Sequence, residues 1–112
     1  MNSRDPKLIA LLFNECINNQ DISGLSNLMT EDHMFIDRKG EVDKGKDVMT
    51  KGWTDFFNQF PDYHNTFPRV KSRNNLVIIV GHANWSKDSE NDHAIWTAKI
   101  ENDLVAEWRI YE

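Results

Sequence analysis

The feature that most constrains this chain is a change of hydrophobic period near its middle. Before Pro61, apolar residues recur at three- and four-residue steps; from Tyr63 to the end they alternate. Two pairs cut the alternating half, Asn74-Asn75 and Asn102-Asp103, and both residue types tolerate the positive φ of a tight hairpin. The expected strands run over 63–73, 76–87, 93–101 and 104–111, with a polar loop from Lys87 to Asn91. Two consecutive long hairpins make an antiparallel sheet, and a sheet with an apolar face must bury it against something. The cover has to come from the first sixty residues.

Those residues supply it. Asp5-Pro6 is a helix start, a capping acid followed by a proline whose missing N–H costs nothing in the first turn. Leu8, Ile9, Leu12, Phe13, Cys16 and Ile17 then form one stripe, to about Asn19. Asp21 caps a shorter expected helix with Ile22, Leu25, Leu28 and Met29 on one side. A short strand is expected over 33–37, with His33, Phe35 and Asp37 on one face and Met34 and Ile36 on the other. A third helix, about 46–60, carries Met49, Trp53, Phe56, Phe57 and Phe60 and is ended by Pro61-Asp62. Helices and strands are thus segregated. The reading is α+β, with helices on one face of a curved antiparallel sheet, in a single domain over 1–112.

Twelve aromatic rings in 112 residues, four of them Trp, are more than a core of this size needs. Large rings fill interiors, and they also line pockets for apolar ligands. Charge narrows the partners. Thirteen basic against eighteen acidic residues give a net charge of −5, which speaks against a nucleic-acid partner, because a duplex binder needs a basic face. No run is long enough to span a membrane, and the first residues lack the apolar core of a signal peptide, so a cytoplasmic location is expected. The single cysteine, Cys16, falls on a helical apolar stripe and reads as a buried, inert thiol. His33, His64, His82 and His93 show no metal-ligand spacing, so no metal is expected.

Several segments together resemble the nuclear transport factor 2-like superfamily, which includes ketosteroid isomerases and SnoaL-like polyketide cyclases. They are Asn19-Gln20-Asp21 into Leu25, Leu28-Met29-Thr30-Glu31-Asp32 into Phe35-Ile36-Asp37, Gly45-Lys46-Asp47, Phe60-Pro61-Asp62, and Leu104-Val105-Ala106-Glu107-Trp108. The resemblance covers essentially the whole chain. It implies a cone-shaped, cystatin-like roll with an internal pocket, and often a dimer. It does not imply one reaction, because the superfamily includes isomerases, cyclases, hydrolases and non-catalytic binders.

Gapless matching to the isomerases carries their general base onto Asp37. The residues agree independently: a carboxylate sharing a face with Phe35 would be partly desolvated, a usable base near neutrality. Asp37 also opens the Asp37-Arg38-Lys39-Gly40 turn, where Asp is common. His33 shares the Asp37 face and is a candidate proton relay, although a solvated strand histidine is the commoner outcome. The resemblance carries the oxyanion-hole tyrosine onto Phe13 and the late-strand aspartate near Trp96. Neither is an acid, so authentic steroid isomerisation is not expected.

If Asn102-Asp103 is a two-residue turn, Trp96 lies opposite Arg109 and Ala98 opposite Glu107. Then Glu107, Arg109 and Tyr111 face the pocket, and the Glu107–Arg109 pair beside Asp37 is similar to the acid–arginine–acid sites of epoxide hydrolases in the superfamily. A slip of one residue inverts this and turns Trp108 inward, and the commoner outcome for such a pair is a surface position on the outer or dimer-facing side. Phe13, Phe35, Trp53, Phe57 and Trp96 complete the candidate wall. The first hairpin is apolar on both faces, Val77, Ile79, Ala83 and Trp85 on one and Leu76, Ile78 and Val80 on the other. Such a sheet wants a second cover, and a homodimer is the simplest one. The expectation is a pocket for a small apolar or amphipathic molecule. If turnover occurs, it is cofactor-free proton transfer or hydration with Asp37 as base. The alternatives are a binding or interaction domain, and a subunit of a larger complex.

Overall fold

A computed structural model describes residues 4–111. Among the described residues three helices, α1 (Pro6–Asn18), α2 (Ile22–Asn27) and α3 (Lys46–Gln59), accompany six strands. The strands are β1 (Met29–Ile36), β2 (Val42–Lys44), β3 (His64–Arg73), β4 (Leu76–Asn84), β5 (Asp92–Glu101) and β6 (Leu104–Tyr111). They form one sheet in the order β2-β1-β6-β5-β4-β3. Pairing is antiparallel except between β1 and β6, so the sheet is mixed rather than wholly antiparallel. It stays open, with β2 and β3 as its edges. The architecture is the α+β cystatin-like roll.

The helix starts follow their capping chemistry. Asp5 accepts from the Lys7 N–H at 2.9 Å with Pro6 in the first turn, and Asp21 accepts from the Gly24 N–H at 3.0 Å. α1 crosses the inner sheet face and buries Ile9, Ala10, Phe13 and Ile17 against Val77, Ile79, Ala98 and Ile100. α3 caps the other end of that face. Its first residue follows Gly45, whose φ of 113° suits glycine and whose N–H donates to the His33 carbonyl at 2.7 Å. The expected buried thiol of Cys16 is half-buried instead, and burial, then Asp21 and Glu15, pushes its pKa up.

Two departures from the expected strands matter for the site. First, β1 begins at Met29 rather than His33, so Met29 leaves the second helix and is buried in the sheet. Second, β6 carries a bulge. Asn102 and Asp103, with φ of 51° and 62°, make the expected tight turn, and Glu101 faces Leu104 and Ile100 faces Val105. Beyond it the register slips: Lys99 faces Glu107, Ala98 faces Trp108 and Trp96 faces Ile110. Ala106 is the extra residue. A second bulge lies in edge strand β3 between Thr66 and Arg69, around Pro68, where a missing N–H is tolerated. Gly81 faces this bulge, and a side chain there would run into the Thr66 carbonyl. Among the described residues no helix is long and apolar enough to cross a membrane.

Candidate functional site

α3, the inner sheet face and the β1–β2 turn line a half-open cavity of about 620 Å³. All four tryptophans of the chain, Trp53, Trp85, Trp96 and Trp108, line it. Phe35, Phe56 and Tyr63 complete a wall of seven rings. Each ring is held by others. Trp53 meets Phe35 and Phe56 edge-on at 6.0 and 5.7 Å, and Phe56, Tyr63 and Trp85 pack edge-to-face at 4.8–5.7 Å. Such contacts are the favourable arrangement of aromatic quadrupoles and make the wall stiff.

The bulge at Ala106 decides which half of β6 faces inward. It turns Trp108 and Ile110 toward the cavity and Glu107, Arg109 and Tyr111 to the outer face. The inward-facing Glu107–Arg109 pair is therefore corrected. Glu107 lies 3.7 Å from Lys99 Nζ, the Arg109 guanidinium stacks 4.7 Å above the Tyr111 ring, and the Tyr111 hydroxyl lies 3.2 Å from Thr97 Oγ1. Phe13 and Phe57 stand behind the wall rather than in it. Phe13 is fully buried against Trp108 at 4.7 Å and Trp53 at 6.5 Å, and Phe57 stacks on Trp53 at 5.6 Å. Phe56, one residue round the helix, takes the wall position. Phe35, Trp53 and Trp96 are wall residues.

Asp37 reaches the cavity at its mouth, half-buried. Its Oδ1 accepts from the Lys39 and Glu41 N–H groups, both at 2.9 Å, so this oxygen builds the turn. His33 is not a solvated strand residue. It is fully buried against Phe13, off the cavity wall, and its Nδ1 lies 2.7 Å from the Val105 carbonyl. That contact requires a proton on Nδ1, leaving Nε2 as the lone-pair nitrogen, and Nε2 has no partner. Burial lowers the His33 pKa and keeps the ring neutral, although the Val105 carbonyl, Asp32 and Glu107 oppose the shift.

Two polar features at the mouth were not anticipated. Arg38 donates to Asp92 Oδ2 at 2.9 Å, and the Trp85 indole N–H donates to the same oxygen at 3.0 Å. This carboxylate ties the β1–β2 turn to the end of β4. Tyr63 is buried beside Arg38, Asn65 and Asp92, and burial pushes its pKa up to about 12, so it stays a neutral hydroxyl. A signal for Trp85 was present, since alternation from Val77, Ile79 and Ala83 puts it on the inner face. Tyr63, just past the Pro61-Asp62 break, carried none. Among the described residues no cluster of three or more His, Cys, Asp or Glu is arranged to hold a metal.

Comparison with known proteins places the chain in a wider group. A family model described as the SnoaL-like domain matches residues 10–110. An uncharacterised cystatin-fold protein from Novosphingobium aromaticivorans superposes with a TM-score of 0.88 at 18% identity, covering 98% of this chain and 100% of its own. A candidate SnoaL-like polyketide cyclase from Shewanella putrefaciens gives 0.81 at 13% identity, over 97% of this chain and 80% of that one. A candidate ketosteroid isomerase from Kribbella flavida gives 0.80 at 14%, over 95% and 76%. At these identities the structural likeness is one of fold alone. No curated protein matches the sequence.

Proposed function

The chain belongs to the family of SnoaL-like domains, and on that footing we propose that it binds a small apolar or amphipathic molecule in the cone. One observation carries this reading: all four tryptophans converge on a single cavity of about 620 Å³. A cavity of that size is typical of small-ligand sites. Asp37 is the group positioned to act on the occupant. Its turn-bound oxygen fixes the carboxylate, and its second oxygen is the base for a cofactor-free proton transfer or hydration at the mouth. His33 takes no part in a relay, because it lies off the cavity wall with Nδ1 committed to a backbone carbonyl.

The test is Asp37→Asn. Asparagine keeps an oxygen for the Lys39 and Glu41 N–H groups, so the turn survives. With Asp37 as base, turnover of a substrate found by screening falls by at least about 100-fold, far more than its affinity changes. Turnover that persists in the variant refutes the base assignment. Binding without turnover in the parent protein supports the second reading, a non-catalytic binder. That reading gains from Phe13, which places no hydroxyl where the isomerases carry their tyrosine.

A homodimer across the outer sheet face is part of the same reading. Val80 faces Ile95 and Ile95 faces Tyr111, and the exposures of Ile78, Val80 and Ile95 are 41%, 43% and 42%. A contiguous apolar row of this kind is what a second copy would cover. A cytoplasmic location suits Cys16, which there remains a thiol. Fractionation of cells producing the protein checks it.

A further inference from the structure

The charges around the cavity are not balanced, and the wall they surround is unusual. Four carboxylates line it, Asp37, Glu41, Asp43 and Asp55. Three cations, Arg38, Lys39 and Lys51, line it as well. Arg38 is already matched, since Asp92 holds it at 2.9 Å. Lys51 stands one helical turn from Asp55 on α3. That leaves four lining carboxylates, Asp37, Glu41, Asp43 and Asp55, against two lining lysines, Lys39 and Lys51, in a chain of net charge −5. Behind this acidic rim the wall is aromatic: four indoles, two phenyl groups and a phenol kept neutral by burial.

Rings carry negative charge on their faces, and indole binds a cation most strongly. An anion entering the cavity would meet the rim's carboxylates and then the wrong sign of quadrupole. A neutral apolar molecule would gain from the rings and nothing from the rim. A cation gains from both. The charge must also be cheap to dehydrate, which favours an alkylated ammonium, spread over methyl groups, above a primary amine or a metal ion.

We propose that the occupant of the cavity is an organic cation, a tertiary or quaternary amine whose head lies among the tryptophans near Asp37 and whose apolar remainder fills the cone. This rests on the ligand-binding reading above and narrows it to one class. In it, the carboxylate of Asp37 is the counter-ion, while Glu41 and Asp43 attract the ligand from solution.

A matched pair of probes tests the assignment: (4-hydroxyphenyl)trimethylammonium and its neutral isostere 4-tert-butylphenol, titrated calorimetrically into the full chain at low salt. The cation binds at least about tenfold more tightly than the isostere. That preference shrinks as salt is raised. It shrinks several-fold in Asp37→Asn and in the exposed double variant Glu41→Gln/Asp43→Asn, whose folding is checked by circular dichroism. Equal or weaker binding of the cation overturns the inference and leaves the ligand-binding reading standing. A preference unchanged in both variants overturns the role given to the carboxylates. Failure of both probes to bind overturns the ligand-binding reading with it.

Discussion

Replacing Gly52 by alanine should stabilise the protein and at the same time weaken binding of any ligand that fills the cone. Gly52 lies inside α3 and lines the cavity. It is not among the glycines with positive φ, so its backbone is ordinary helix. A Cβ built there meets only Met49 Cε at 3.8 Å and Sδ at 3.9 Å, normal contact distances. Nothing therefore opposes the propensity difference between glycine and alanine, about 1 kcal/mol in a helix interior. For a domain of this size that is a rise of about 4 °C or more in melting temperature. The added methyl sits at a position that lines the cavity, and a group forced into filled space costs about 1 kcal/mol or more. Urea unfolding with calorimetric titration of a bulky and a small ligand reads both effects. The variant gains stability, loses affinity several-fold for the bulky ligand, and keeps affinity for the small one. A destabilised variant, or undiminished binding of the bulky ligand, would refute the placement of Gly52 on the cavity wall.

Gly81→Ala should act oppositely. Its Cβ would strike the Thr66 carbonyl, so the variant loses about 1–3 kcal/mol in the same urea assay, and an unchanged midpoint contradicts the close approach at the β3 bulge. His33 gives a pH dependence: because burial lowers its folded pKa, the unfolded chain takes up its proton first, and stability falls as pH drops below the unfolded value near ~6.5. The slope is at most one proton, about 1.4 kcal/mol per pH unit, it ends at the folded pKa, and it is absent in His33→Gln; a slope retained in that variant assigns the effect elsewhere. Val80→Glu should convert a dimer to monomer in sedimentation with the fold intact, and a parent protein that is monomeric at all concentrations removes the dimer. Cys16 should react with a disulfide reagent more slowly than a free thiol at neutral pH, since burial and the carboxylates of Asp21 and Glu15 disfavour its thiolate; fast labelling contradicts this.

How far the sequence carried the reading depended on whether a residue's surroundings repeat locally. α1 and α3 were legible because Ile9, Phe13 and Ile17, and Met49, Trp53 and Phe57, recur at the helical period and all turn inward. The hairpin turns were legible because Asn74, Asn102 and Asp103 adopt the positive φ their chemistry permits. β2 was not, since Val42, Asp43 and Lys44 are all exposed and leave no alternation to read. The bulge in β6 was hidden for the opposite reason. Val105, Ala106, Glu107 and Trp108 are all buried, so neither face of that strand announces itself as inner. One hidden residue there reversed the placement of Glu107, Arg109 and Tyr111. Trp96 kept its inward placement, because β4 and β5 pair without a register shift. Phe56 and Phe57 could not be told apart, because both lie on the α3 stripe and only the packing of Trp53 decides which one meets the cavity.

All four tryptophans are proposed to surround one binding cavity. Fluorine NMR of protein labelled with 5-fluorotryptophan tests it most directly, since each indole gives its own resonance, assigned by single Trp→Phe variants. Saturation with (4-hydroxyphenyl)trimethylammonium is expected to shift all four resonances along one common binding curve. Four unmoved resonances at a saturating concentration, or shifts that follow separate curves, would contradict it.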